Sequence, residues 1–129
     1  PTPSLMHVVL HVASDLVLIP TKLEQLSING LSETLKHIKG ANKVRAGYGL
    51  PELKVGGIIP NMARATDAHH VVWEQLYERF GREVWPTMGL RTVWAEASLM
   101  GQFIWDYQPT NQKAIDEINE IVKRVEMLL

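Results

Sequence analysis

Residues 15–24 read DLVLIPTKLE and residues 53–60 read LKVGGIIP. Each holds a short aliphatic run, Leu16 to Ile19 and Val55 to Ile59, without the alternation of a strand that keeps one face in water. Runs of this length and pattern suit strands covered on both faces, as parallel sheets require. Between them Ile28, Leu31, Leu35 and Ile38 recur on one helical face. Strand, helix, strand in that order predicts a βαβ crossover and a parallel pair.

Outward from this unit the punctuation is carried by proline, glycine and hydroxyl residues. Pro20 is expected to stop the first strand, Thr21 and Glu24 to form a capping box, and Gly40 to end the helix. The stretch ANKVRAGYGLPE then reads as a loop. The Gly56-Gly57 pair predicts close approach of another backbone or of a helix. Thr66 can cap a helix whose apolar positions are Val72, Trp73, Leu76, Tyr77 and Phe80, stopped by Gly81. REVWPTMG reads as a third, shorter strand, and residues 89–109 as an irregular aromatic segment. Ile115, Ile118, Val122, Val125 and Leu129 mark a closing amphipathic helix, and Leu5, Val8, Val9 and Val12 an opening one capped by Ser4. The class expected is α/β, a parallel sheet with flanking helices, with something lying beside the first strand.

Composition narrows the function. A chain of 129 residues with 46% hydrophobic and 21% charged residues has the make-up of one globular unit, not of a disordered segment. The absence of cysteine excludes a disulfide scaffold and thiolate metal sites. No apolar run approaches the roughly 20 residues of a membrane span. A net charge of −1 gives no general field for nucleic acid and leaves only local basic patches for that role. Pro1 is not an initiator methionine and PTPS reads as a loop entering a helix, so the chain is expected to be a fragment.

The order of the pieces carries a resemblance. PTPSLMHVVLHVASDLVLIPTKLEQLSINGL, GGIIPNMARAT, YERFGREVWPT and RTVWAEASLMGQFIWDYQPTNQKA together look like the C-terminal half of a ParA-type partition ATPase. Such proteins belong to the ParA/MinD group of P-loop ATPases with a variant Walker A motif. The most specific parts are the step from Asp15 to Glu24 and the A-E-A-S-x-x-G step from Ala95 to Gly101, and the match runs over essentially the whole chain. The resemblance implies an incomplete P-loop NTPase half, with the Walker B aspartate just before Pro1 and PTPS in the segment that responds to the γ-phosphate. The glycines of GYG and VGG lack the spacing and Lys-Ser/Thr ending of a phosphate loop. Residues 1–129 are therefore expected to be non-catalytic alone. ATP and Mg²⁺ would be cofactors of the parent protein, which would form a homodimer, coat nonspecific DNA on the nucleoid and meet a cargo-bound ParB-like partner.

Within that resemblance, Asn61 at the end of the second strand and the turn Gly89-Leu90-Arg91 are implied to flank the adenine. Arg64 stands where relatives place a DNA-phosphate contact, and Trp94 replaces a second basic contact, which implies a DNA contact made by stacking, weak DNA affinity, or a relative with another cargo. The plainer readings are a turn asparagine that tolerates a left-handed backbone and a solvated loop arginine. His7 and His11, four apart, can share a helical side but find no third ligand nearby, so no metal is assigned. Glu96 and Asp106 lack the neighbours of a general acid/base pair, so no catalytic residue is assigned. Glu120 with Arg124 and Asp116 with Glu120 read as charges on a solvated helical face. Phe103 and Trp105 are expected to pack the last helix on the sheet. Two other readings stay beside this one. A MinD-like positioning ATPase would need a basic amphipathic tail, and IVKRVEMLL offers only Lys123 and Arg124. A non-catalytic half-domain would pair with a partner or with itself.

Overall fold

The computed structural model describes residues 5–129, with side chains from Val8 onward. Pro1 and the expected cap Ser4 lie outside the described residues. The described chain is mixed α/β. Six helices, α1 (Leu5–Ala13), α2 (Gln25–Gly47), α3 (Asp67–Phe80), α4 (Thr92–Leu99), α5 (Ile104–Tyr107) and α6 (Gln112–Leu128), surround two strands, β1 (Leu16–Lys22) and β2 (Lys54–Asn61). The strands pair in parallel from Leu16 opposite Lys54 to Lys22 opposite Asn61, with a register shift between Val17 and Leu18 that leaves Gly56 unpaired.

Alternate residues send the strands' apolar surface to opposite faces. Ile19 and Ile58 meet Leu31, Ile38 and Leu76 from α2 and α3. Leu18 and Ile59 meet Ile121, Ile118 and Val125 from α6, with Trp85 among them. Helices thus cover both faces, which is why LVLI and VGGII carry no alternation.

Three expected boundaries move. β1 runs through Pro20 to Lys22, and Thr21 is a buried strand residue, so no capping box forms; Glu24 precedes α2 with no side-chain cap. Pro20 survives inside a strand because β1 has a hydrogen-bonded neighbour on one side only among the described residues. α2 does not stop at Gly40 but continues to Gly47, taking half of the expected loop. The third strand is reduced to a short 3₁₀ turn, Gly81–Glu83, followed by two isolated parallel bridges, Ile58 with Val84 and Ala63 with Gly89. Pro60 has no N–H to return a bond to the segment after Trp85, so the ladder breaks between them.

The extra turns of α2 are held by polar contacts that Gly40 would have forfeited. Asn42 pairs with both backbone groups of Leu53, accepting from its N–H at 2.8 Å and donating to its carbonyl at 3.0 Å. Arg45 is 4% exposed and forms no ion pair with a carboxylate among the described residues. Its Nε donates to the Pro51 carbonyl at 2.7 Å, and Nη1 donates to the carbonyls of His11, Val12 and Ser14. Those last three carbonyls lie in the last turn of α1 and just past it, where the helix dipole is negative and favours a cation. One side chain therefore ties α1, α2 and the approach to β2.

Gly56 and Gly57 are sites of close approach, though to side chains rather than to a backbone. A Cβ on Gly56 would lie 2.8 Å from Leu16 and 2.9 Å from Leu128 of α6; one on Gly57 would lie 2.1 Å from the Trp85 indole nitrogen. The expected cap and stop of α3 are present, Thr66 Oγ1 accepting from the His69 N–H and Gly81 ending the helix at φ 53°; α6 is capped by Asn111, which accepts from the Ala114 N–H and was not singled out in the sequence. Residues 92–107, expected to be irregular, fold as α4 and α5 around Val93, Ile104 and Ala114. Arg45→Ala leaves four partly buried carbonyls without this donor and is expected to lower stability by about 3 kcal/mol. Arg45→Lys should recover only part of that, because an ammonium lacks the planar fork. Urea denaturation of the three proteins measures both.

Candidate functional site

Parallel sheets gather ligand-binding loops at the carboxyl ends of their strands. Here that end is formed by two turns, residues 61–66 after β2 and residues 87–91 after the bridged segment. They are joined by backbone bonds: Met88 N–H to the Pro60 carbonyl at 2.8 Å, Ala63 N–H to the Met88 carbonyl at 3.1 Å, and Leu90 N–H to the Ala63 carbonyl at 2.8 Å. The structure thus brings Asn61 and Gly89-Leu90-Arg91 onto neighbouring turns.

Asn61 ends β2, and its Oδ1 accepts from the Met62 N–H at 2.8 Å. The left-handed residue of this turn is Met62, at φ 54°, and not Asn61. A non-glycine residue with positive φ is uncommon and clusters at constrained sites. Met62 and Leu90 both leave apolar side chains in solvent, one on each turn.

The second turn is fixed from α6. Glu117 Oε2 accepts from the Gly89 N–H at 3.1 Å and from Arg91 Nε at 3.2 Å, while Oε1 accepts from Arg91 Nη2. Both side chains of this fork are partly buried. Hydrogen bonding to Glu117 holds the Arg91 guanidinium above its ordinary pKa, and partial burial opposes that more weakly. Arg91 is thereby committed to positioning the turn. Glu117 was missed in the sequence, although it carried a signal: it lies three residues after Ala114 and four before Ile121, on the buried side of an amphipathic helix.

Beside these turns an open cleft of about 510 Å³ is lined by Leu23, Arg64, Asp67, His69, Trp73 and Thr87, among others. The Arg64 N–H donates to His69 Nδ1 at 2.9 Å, which places the proton of the neutral imidazole on Nε2. The Arg64 side chain is exposed and makes no hydrogen bond or ion pair among the described residues. Trp73, stacked on Tyr77 at 5.2 Å, supplies an aromatic wall. Apart from Arg64, none of these lining residues had been singled out for a site, because residues on the strand ends and the first turns of α3 meet only in the fold.

The remaining candidates lie elsewhere. Trp94 packs against the Val93, Ile104 and Ala114 cluster, with its indole N–H buried and without an acceptor. Phe103, expected to pack, is 73% exposed, and Trp105 is also exposed; Ile104 between them takes the buried position. Glu120 pairs with Lys123 rather than Arg124, whose guanidinium lies over the Trp85 ring at 5.9 Å. Among the described residues no group of three His, Asp or Glu converges as metal ligands, and the His7 side chain lies outside them. No helix among the described residues is long and apolar enough to cross a membrane.

The chain matches no protein-family model, and a search of curated proteins finds no match.

Glu117→Ala removes acceptors for one backbone and two guanidinium donors at once. It is expected to cost roughly 2 kcal/mol in urea denaturation. It should also speed amide exchange at Gly89 and Leu90 in NMR-detected hydrogen exchange, whereas Glu120→Ala changes neither.

Proposed function

We propose that this chain is the C-terminal portion of a ParA-like, nucleotide-switched ATPase of DNA partitioning, contributing the purine-facing turns and a DNA-phosphate contact. The observation that carries this reading is the juxtaposition of the turns 61–66 and 87–91 at the carboxyl ends of the strands. The sequence resemblance supports it independently through the Asp15–Glu24 and Ala95–Gly101 steps.

The turns fit a planar base. Met62 and Leu90 offer exposed apolar flanks, and the Asn61 amide keeps its Nδ2 donors while Oδ1 holds the turn. Gly89 and Arg91 take a supporting part, with the Gly89 N–H and the Arg91 Nε and Nη2 donating to Glu117. Triphosphate and Mg²⁺ would be gripped by residues other than these; when bound they supply the scissile bond and its charge neutralisation.

Arg64 is the group we assign to a DNA phosphate. It is cationic, exposed and uncommitted, and it stands on a turn braced by His69 and by the α3 cap at Thr66. Trp94, turned into the α4–α6 cluster, is not assigned to DNA.

Two measurements test the reading. Titration with ADP, followed by NMR, should move the amide signals of Met62, Ala63 and Leu90 most; an unmoved set overturns the purine assignment. Anisotropy of a labelled random-sequence duplex across a salt series should show weaker binding for Arg64→Ala, with the log–log salt slope reduced by about one. Equal slopes overturn the phosphate contact.

A further inference from the structure

The corner between α4 and α5 is closed by local geometry. Gly101 adopts φ 64°, its N–H bonds the Ser98 carbonyl at 3.1 Å, and the Gln102 N–H bonds the Ala97 carbonyl at 3.0 Å. This is a Schellman pair, which satisfies the last carbonyls of α4 and turns the chain in one defined direction. Side chains on such a corner are presented with little left to order on binding.

What the corner presents is apolar. Leu99 is 87% exposed, Met100 62% and Phe103 73%. Trp105 extends the patch, its ring centroid 6.5 Å from that of Phe103, and its Nε1 donates to Asn119 Oδ1 at 3.1 Å, which holds the indole in place. Singly scattered apolar residues need no explanation, but neighbouring ones on a fixed corner mark an interaction surface.

The stretch that carries the patch holds charge of one sign, with Arg91 and Lys113 just beyond its two ends. From Thr92 to Gln112 the charged residues are Glu96 and Asp106, with no Lys or Arg. Glu96 lies about one helical turn before Leu99 and Met100, and Asp106 one turn after Phe103. Both are exposed, and neither carboxylate makes a hydrogen bond or ion pair among the described residues.

We infer that this corner docks an amphipathic helix of a partner protein, one that carries Lys or Arg beside its apolar stripe. The stripe covers Leu99, Met100 and Phe103, and the cations meet Glu96 and Asp106, fixing orientation and excluding acidic competitors. The same two carboxylates oppose an anionic lipid surface. They also oppose a two-fold pairing of this corner with itself, which would set like charges face to face. The inference stands apart from the nucleotide and DNA reading and is tested without either ligand.

The probe is a pair of synthetic amphipathic peptides of equal length and identical Leu face, one with lysine and one with glutamate on the polar face. Each is titrated into the full chain and followed by amide chemical shifts. The Leu/Lys peptide should move the signals of residues 96–106 and saturate, and the Leu/Glu peptide should bind about tenfold more weakly or worse. Phe103→Ser and, separately, Leu99→Ser should each weaken the Leu/Lys peptide by about tenfold. Their melting temperatures should not change, because both side chains stand in solvent. Joint Glu96→Lys and Asp106→Lys should reverse the preference between the peptides. Equal affinity for the two peptides, shifts centred outside residues 96–106, or undiminished binding by both serine variants overturns the inference. So does movement of the same signals by neutral-lipid vesicles or by raising the concentration of the chain alone.

Discussion

The architecture of this chain depends on a missing methylene position. A Cβ on Gly57 would fall 2.1 Å from the Trp85 indole nitrogen and 2.2 Å from Cε2, well inside any contact that real atoms make. Glycine at that point lets the ring lie against β2, and the segment that bears it follows. The Trp85 N–H bonds the Ile58 carbonyl at 2.8 Å, and the chain then tracks the strand as far as Leu90. The buried ring in turn gives α6 its seat: Ile121 packs with it in the same cluster, and Arg124 lies over it. With α6 seated, Glu117 reaches Gly89 and Arg91. The geometry of the candidate site is thus inherited, contact by contact, from one residue without a side chain.

The parallel pair and its cover were legible because two-sided burial removes alternation, and no local competitor obscured the runs at Leu16–Ile19 and Val55–Ile59. The helix stops were less so. Gly40 is an adequate stop signal, yet propensity is a weak prior against tertiary contacts. Glycine in a helix interior costs up to about 1 kcal/mol, while a satisfied buried polar group is worth about as much or more, and Asn42 and Arg45 each supply several such bonds. The aromatic stretch from residue 89 onward misled for a different reason. Two short helices meeting at a Gly101 corner reset the phase of the pattern, so no single period spans it.

For the site, position was easier to read than commitment. That Asn61 and Gly89–Arg91 would meet was implied by the family resemblance, not by periodicity. That Arg91 would be occupied by Glu117, or Trp94 turned inward onto Ala114, depends on how α6 is rotated, and a helical pattern fixes that rotation only to within a residue or so. Arg64 remains exposed because its turn sends its backbone N–H, not its guanidinium, to His69. Binding residues held in loops by backbone contacts of this kind leave little trace in periodicity.

The free edge of β1 shows the same division of labour. Its inner side is hydrogen-bonded to β2 from Leu16 to Lys22, and among the described residues no strand lies on its outer side. Unpaired edges recruit other strands unless something blunts them, and proline and lysine are the usual means. Pro20 and Lys22 stand in the second half of β1 and both are exposed. The first half, Leu16 to Ile19, has no such guard, and its side chains are apolar and mostly half-buried. A neighbouring strand would therefore find its pairing groups beside Leu16–Ile19 and lose them at Pro20. The cleft end of the sheet, where Arg64 and the two turns lie, would then stay open to ligand even with the edge occupied.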